Sequence, residues 1–131
     1  MVGERGATGS RAPFHVRRVY ENEGGDGRYR VLVDRLWPRG IKKADLTLDE
    51  WLKDAAPSTE LRRWYGHDPA RFEEFARRYR EELTRPPASA AVGHLLDMAR
   101  RRPVVLLTAT RDVERSGAQV LHDALVERHR A

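Results

Sequence analysis

Two uninterrupted apolar runs constrain the fold more than any other feature of this sequence. The run Val31-Leu32-Val33 lies inside residues 28–36 (RYRVLVDRL), and residues 104–109 read VVLLTA. Strands without polar alternation are typical of parallel sheets, which are covered on both faces. Because helical patterns fill the chain between the two runs, we expect the runs to lie parallel in one sheet, joined by a right-handed crossover.

The remaining patterns predict an α/β domain. Residues 14–20 (FHVRRVY) indicate a strand at the edge of the sheet. Thr47-Leu48-Asp49-Glu50 matches a capping box and predicts a helix that continues to Ala55 with apolar residues at helical spacing. Ser58 and Asp68 are predicted helix caps, and Gly66 is the predicted end of the helix that Ser58 begins. Further helical stripes run through residues 70–83, 92–99 and 113–129. The expected fold class is a small three-layer-type α/β domain with a short, mainly parallel sheet flanked by helices.

Length and composition limit the classes of protein that the chain can represent. Its 131 residues suit one domain, predicted over residues 14–131, with residues 1–13 as a disordered lead. No apolar run approaches the roughly 18 residues of a membrane helix, and the first residues lack a secretory apolar region, so a cytoplasmic location is expected. The sequence contains no cysteine, which excludes disulfides, thiolate nucleophiles and cysteine metal sites.

Two polar segments are predicted to meet at the carboxyl ends of the core strands, where parallel sheets bind ligands. Residues 34–40 follow the first run and residues 110–112 follow the second. Their arginines are bidentate anion donors, and the start of helix 113–129 adds unpaired backbone N–H groups, so the expected ligand carries a phosphate or a carboxylate. The predicted ligand-binding residues are Arg35, Trp37, Arg39, Thr108, Thr110, Arg111, Asp112 and Ser116, with Asp34 and His67 as candidate catalytic residues.

Each of these assignments has a structural alternative. Asp34 could be a general base, but an ion pair with an arginine is favoured, because adjacent guanidiniums stabilise the charged carboxylate. Asp112 could cap the last helix, and Trp37 could belong to the core. His67 could be an acid/base group or a metal ligand, or could hydrogen-bond a helix end. The common nucleotide-binding and hydrolase motifs are absent, and neither a metal nor a cofactor is expected.

Two other functions compete with a small-ligand site. The net charge of +5 and the high content of arginine could serve nucleic-acid binding. The arginines that would carry it are Arg62, Arg63, Arg77, Arg78 and Arg100 to Arg102. Acidic residues at i, i+4 spacing within residues 70–83 account for part of this charge without a ligand. Alternatively, the protein could act by association, as a homodimer formed through the edge strand 14–20 rather than as a monomer.

With these residues in hand, the chain resembles the YeaO-like branch of the domain-of-unknown-function 488 family. The segments that carry the resemblance are RVLVDRLWPRG, WLKDAAPSTELRRWYGHDPARFEEFARRYREEL and VVLLTATRD. The resemblance implies a small domain that is Rossmann-like or rhodanese-like in outline. Longer members carry a cysteine-bearing loop where this chain has residues 108–112, and Ser116 stands where the family pattern usually has Asn. Thiolate phosphatase and sulfurtransferase chemistry are therefore excluded for this chain.

Overall fold

The computed structural model describes residues 12–21 and 26–130. The strands are β1 (Phe14–Arg18), β2 (Tyr29–Leu32), β3 (Glu50–Trp51) and β4 (Val104–Thr108). The α-helices are α1 (Thr59–Tyr65), α2 (Phe72–Glu82), α3 (Ala88–Ala99) and α4 (Gly117–Arg130). The predicted lead, residues 1–13, lies outside the described residues except for residues 12 and 13. None of the described helices is both long and apolar enough to cross a membrane.

The four strands form one parallel sheet in the order β1-β4-β2-β3. Strand β4 pairs with β1 on one side, from Phe14 opposite Val104 to Arg18 opposite Thr108, and with β2 on the other. Every residue of β4 is buried, as the apolar run predicts. The predicted α/β class, the parallel arrangement of the two apolar runs and the edge position of the first strand are all confirmed.

The two faces of the sheet are covered differently. All four helices contribute buried residues to one cluster, which packs on Val31, Val104 and Leu106. The opposite face presents Leu32, Val105 and Leu107, and irregular chain covers it with the side chains Trp37, Ile41, Leu46 and Leu48. The sheet is therefore buried on both sides. The segment of the chain between β2 and β3, which covers the second face, contains no α-helix among the described residues.

The helix predicted from the capping box at residues 47–50 is wrong. Glu50–Trp51 instead extends the sheet as β3, and a single 3-10 turn follows at Lys53–Ala55. Two backbone bonds replace the helical ones, because the N–H of Asp49 donates to the carbonyl of Arg30 and the N–H of Leu52 donates to that of Leu32. Pairing with the buried edge of β2 satisfies backbone groups that a separate helix would leave without partners.

The predicted boundaries of α1 are confirmed, whereas α2 begins at Phe72, later than the cap at Asp68 predicts. The Ser58 hydroxyl accepts a hydrogen bond from the N–H of Leu61 at 3.1 Å, and Gly66 ends α1 in the left-handed conformation with φ of 53°. Asp68 accepts from the N–H of Ala70 at 3.0 Å and begins a 3-10 turn that leads into α2. These caps fix the loop between the two helices, which carries His67 to the carboxyl end of the sheet.

Candidate functional site

A pocket of about 810 Å³ opens at the carboxyl ends of β1, β2 and β4, and we call it the strand-end pocket. Arg18 lines it at the end of β1, residues 33–39 line it after β2, and residues 109–112 line it after β4. The helical layer closes it with residues around α1 and with the start of α4 at residues 116–118. The pocket therefore lies where parallel sheets place their ligand sites.

The structure brings nearly all of the predicted site residues to this pocket. Thr108 is the exception, because it is fully buried at the end of β4, beneath the lining. The predicted residues that line the pocket are Asp34, Arg35, Trp37, Arg39, His67, Thr110, Arg111, Asp112 and Ser116. Their convergence follows from the parallel sheet. A ligand-binding or catalytic role for each of them stays a prediction.

Asp34 is held by the end of the neighbouring strand. Its Oδ1 accepts a 2.7 Å hydrogen bond from the hydroxyl of Thr108, and its Oδ2 accepts a 2.7 Å bond from the N–H of Ala109. Among the described residues no arginine forms an ion pair with it, so the favoured ion-pair interpretation is wrong. Burial raises the pKa of Asp34 above 3.8, and these two hydrogen bonds and the charge of His67 oppose that shift only partly.

Arg35 holds the chain before α1. Its Nε donates to the carbonyl of Pro57 at 3.0 Å, and its Nη2 donates to that of Ala56 at 3.3 Å. These bonds fix the pocket wall that Pro57 forms. The start of α4 then packs closely on this wall, since a Cβ added to Gly117 would lie 3.2 Å from Cγ of Pro57.

Trp37 has both a structural position and a place on the pocket. Its indole N–H donates to the carbonyl of Ile41 at 2.6 Å, and its ring packs edge-on against Trp51 with centroids 5.3 Å apart. The side chain is thereby part of the layer that covers the second face of the sheet. It also lines the pocket. Because its polar atom is already bonded, it offers a ligand only apolar ring surface.

His67 is exposed and lines the pocket with an unusual backbone conformation. Its φ is 58°, which makes it the non-glycine residue with positive φ in the described chain. Gly66 before it also has positive φ, so the loop turns through two left-handed residues in succession. The described residues give its ring no hydrogen bond, and the predicted contact with a helix end is not formed, because Asp68 caps the following turn itself.

The last helix begins at Gly117, later than the start at residue 113 that the sequence predicts. Val113–Arg115 forms a 3-10 turn, and Asp112 makes no capping bond but pairs with Arg115 at 2.9 Å. Ser116 takes the capping role, since its hydroxyl accepts from the N–H of Gln119 at 3.1 Å and donates to the carbonyl of Val113 at 2.6 Å. The helix N-terminus that faces the pocket therefore belongs to Gly117.

Sequence reasoning did not assign Arg18, Tyr20, Arg62 and Tyr65 to the site, although all four line the pocket. Arg18 could have been found by extending the strand-end rule to β1, because its carboxyl end meets the same edge of the sheet as those of β2 and β4. Arg62 had no such signal, since its place depends on how α1 packs. In both arginines the Nε atom is buried and has no hydrogen-bond partner among the described residues.

Fold and site together define a class of protein: a small parallel α/β domain whose strand-end pocket carries several arginines and no cysteine. Among the described residues, no group of three His, Asp or Glu side chains is arranged to hold a metal ion. The loop that follows β4 presents Thr110 and Arg111 to the pocket.

The chain belongs to the DUF488-N3i family, described as the inactive DUF488-N3 subclade, whose model matches residues 13–131. It is 53% identical over 110 residues to an uncharacterized protein of Mycobacterium tuberculosis, a match that covers 84% of this chain and 91% of the relative. It is 41% identical over 112 residues to the uncharacterized protein YeaO of Escherichia coli, covering 86% of this chain and 96% of YeaO. No solved structure matches it. The resemblance to the YeaO-like branch is thereby confirmed.

Proposed function

We propose that the protein binds a small molecule bearing a phosphate or a carboxylate in the strand-end pocket. The observation that carries the proposal is the charge of the lining. The pocket arginines are Arg18, Arg35, Arg39, Arg62 and Arg111, against the carboxylates Asp34 and Asp112. Asp112 is already paired with Arg115, outside the lining, and burial disfavours the charged form of Asp34. A pocket with this excess of positive charge attracts an anion.

The arginines of the pocket differ in how free they are to bind. Arg35 donates two of its N–H groups to backbone carbonyls. Arg18 and Arg62 are half-buried, and the described residues give their side chains no hydrogen bond or ion pair, so their terminal N–H groups can donate to a ligand oxygen. Arg62 and Arg18 are therefore the strongest candidates for contact with the anionic group, with Arg39 and Arg111 at the exposed edge.

The proposal is one of binding without turnover. The family is described as an inactive subclade, and the chain has no thiolate to act as a nucleophile. Asp34 and His67 are the candidate acid/base residues, and their catalytic role stays a prediction. Nucleic-acid binding has less support, because Arg77 pairs with Glu74 and Glu81, and Arg78 pairs with Glu74. These pairs reduce the cationic character of α2.

The test compares two neighbouring arginines of α1, one inside the pocket and one outside it. Arg62→Gln and Arg63→Gln remove the same charge, and Arg63 is exposed and not part of the lining. Binding of phosphate, phenyl phosphate, acetate and benzoate is measured by calorimetry and by thermal shift against each variant's own ligand-free state. We expect Arg62→Gln to weaken binding at least about tenfold, as the loss of a charged hydrogen bond implies, and Arg63→Gln to change it little.

Two results would count against the proposed function. One is that no member of the anion panel binds the wild-type protein. The other is that the two variants weaken binding equally, which would mean that the general positive field, rather than the pocket, attracts the anions.

A further inference from the structure

The mouth of the strand-end pocket carries the exposed large hydrophobic side chains of the described chain. Leu36 is 59% exposed and Tyr20 is 52% exposed, and both line the pocket. They come from different segments, one after β2 and one after β1. Single exposed apolar residues need no explanation, but two of them gathered at the edge of one pocket mark a surface that a ligand covers.

The inner wall of the pocket is apolar as well. Val33, Ala56 and Phe75 are buried core residues that line it. Tyr65 stacks on Phe75 with ring centroids 4.2 Å apart, and its hydroxyl donates to the carbonyl of Arg115 at 2.7 Å. The polar atom of Tyr65 is thus already bonded, and the wall offers a ligand apolar surface that is held in place before binding.

The size of the pocket also indicates a ligand larger than an inorganic anion. Its volume of about 810 Å³ is that of a site for a drug-sized molecule. A water molecule takes about 30 Å³ of liquid, and an inorganic anion of a few heavy atoms would leave most of this space unfilled. The cationic groups alone therefore do not account for the pocket.

Cation and apolar surface lie next to each other at the mouth. The guanidinium carbon of Arg18 lies 4.9 Å from the centroid of the Tyr20 ring. A ligand oxygen bound to Arg18 would consequently place the atoms beyond it within reach of Tyr20. One molecule can engage both kinds of surface at once.

We propose that the ligand is an amphipathic organic anion, with one phosphate or carboxylate held by Arg18 and Arg62 and an aryl or alkyl body packed against Leu36, Tyr20 and the inner wall. This inference rests on the proposed function and specifies its ligand class. An inorganic anion would contact only Arg18 and Arg62 and leave the apolar surface uncovered. The apolar body then supplies additional affinity in proportion to the apolar area that it buries.

The experiment compares ligands that share an anionic group and differ in the apolar body. Calorimetric titration is carried out with phenyl phosphate against inorganic phosphate and with benzoate against acetate. Burying one phenyl ring is expected to make the aryl member of at least one pair about tenfold tighter or more. The pair that shows this difference identifies the anionic group that the site accepts.

Two substitutions at one exposed position locate the apolar contact. Leu36→Ser removes the apolar surface and Leu36→Met retains it, and neither disturbs the core because Leu36 is exposed. We expect Leu36→Ser to reduce the aryl advantage at least about threefold, since it removes much of a leucine side chain's contact area, while leaving the affinity for the inorganic or short anion unchanged. Leu36→Met should behave like the wild-type protein.

The outcomes separate this inference from the proposed function. If the simple and the aryl anions bind equally well, the amphipathic ligand is wrong and anion binding in the pocket stands. An aryl advantage that Leu36→Ser leaves intact would also overturn the inference, because the apolar body would then lie elsewhere. If none of the four compounds binds, the proposed function itself fails.

Discussion

Replacing His67 by glycine should stabilise the protein. His67 has φ of 58°, a conformation that costs an L-residue roughly 1–2 kcal/mol, and glycine relieves this cost. Glycine also loses more backbone entropy on folding, which takes back about 0.5–1 kcal/mol. The exposed side chain makes no hydrogen bond to a described group, so the packing lost is its ring contact with Tyr65, whose centroid lies 6.0 Å away. The net gain in the free energy of unfolding is about 0.5–1 kcal/mol, or a rise in Tm of about 2–4 °C.

His67→Ala is the control for this prediction. Alanine also removes the imidazole, but it keeps a Cβ and therefore keeps the cost of the left-handed conformation. Urea unfolding of the three proteins at one pH should rank glycine above both histidine and alanine, with alanine about 0.5–1 kcal/mol below glycine. If the glycine and alanine variants are equally stable, the left-handed conformation of residue 67 carries no strain and the reasoning is refuted.

The same two variants distinguish the effect of His67 on stability from its effect on ligand binding. Position 67 lines the strand-end pocket, so the imidazole is lost from the site in both variants. Under the proposed function, both should bind the anion panel more weakly than the wild-type protein, although the glycine variant is the more stable of the two. A strained residue whose removal improves the fold and impairs the site is what a functional position predicts. Unchanged binding in both variants would assign His67 to the loop alone.

Three further predictions concern the residues around the pocket. Because burial raises the pKa of Asp34, the folded state holds the proton of its carboxyl group more tightly than the unfolded state does. The free energy of unfolding should therefore fall as pH rises above 3.8. In urea unfolding, Asp34→Asn should abolish this part of the pH dependence. Ser58→Ala removes the cap that accepts from the N–H of Leu61 and should cost about 1 kcal/mol in the same measurement. Tyr79→Phe leaves the carbonyl of Ala55 without its buried partner and should cost about 1–3 kcal/mol, detectable as a lower Tm. A stability equal to that of the wild-type protein would contradict each of the last two.

The parts of the fold that depend on local patterns could be predicted from the sequence. The cap at Ser58, the glycine at position 66 and the parallel arrangement of the two apolar runs each follow from chemistry contained in a few consecutive residues. The site followed from topology, because polar residues after parallel strands must meet at one edge of the sheet. None of these inferences required knowledge of which helix packs on which.

The errors share a physical cause, which is competition between a local pattern and a distant partner. Residues 47–50 satisfy the capping-box pattern, but the open edge of β2 offers backbone partners at Arg30 and Leu32 that make a strand the better solution. In the same way Asp112 is a residue type that commonly caps helices, but Ser116, which lies directly before the helix, forms the capping bond instead. Local sequence contains no information about these alternatives.

Asp34 and Arg35 illustrate how the same competition shapes the site. Adjacent opposite charges suggest an ion pair, yet backbone groups of two other segments compete successfully for these side chains. Asp34 therefore turns to the N–H of Ala109 at the end of β4, and Arg35 turns to the carbonyl of Pro57 before α1. Asp34 and Arg35 thus hold different walls of the pocket, and the arginines that we propose as the main ligand contacts, Arg18 and Arg62, come from β1 and α1. It follows that substituting Arg35 should loosen the wall at Pro57, whereas substituting Arg62 should weaken anion binding without that structural effect.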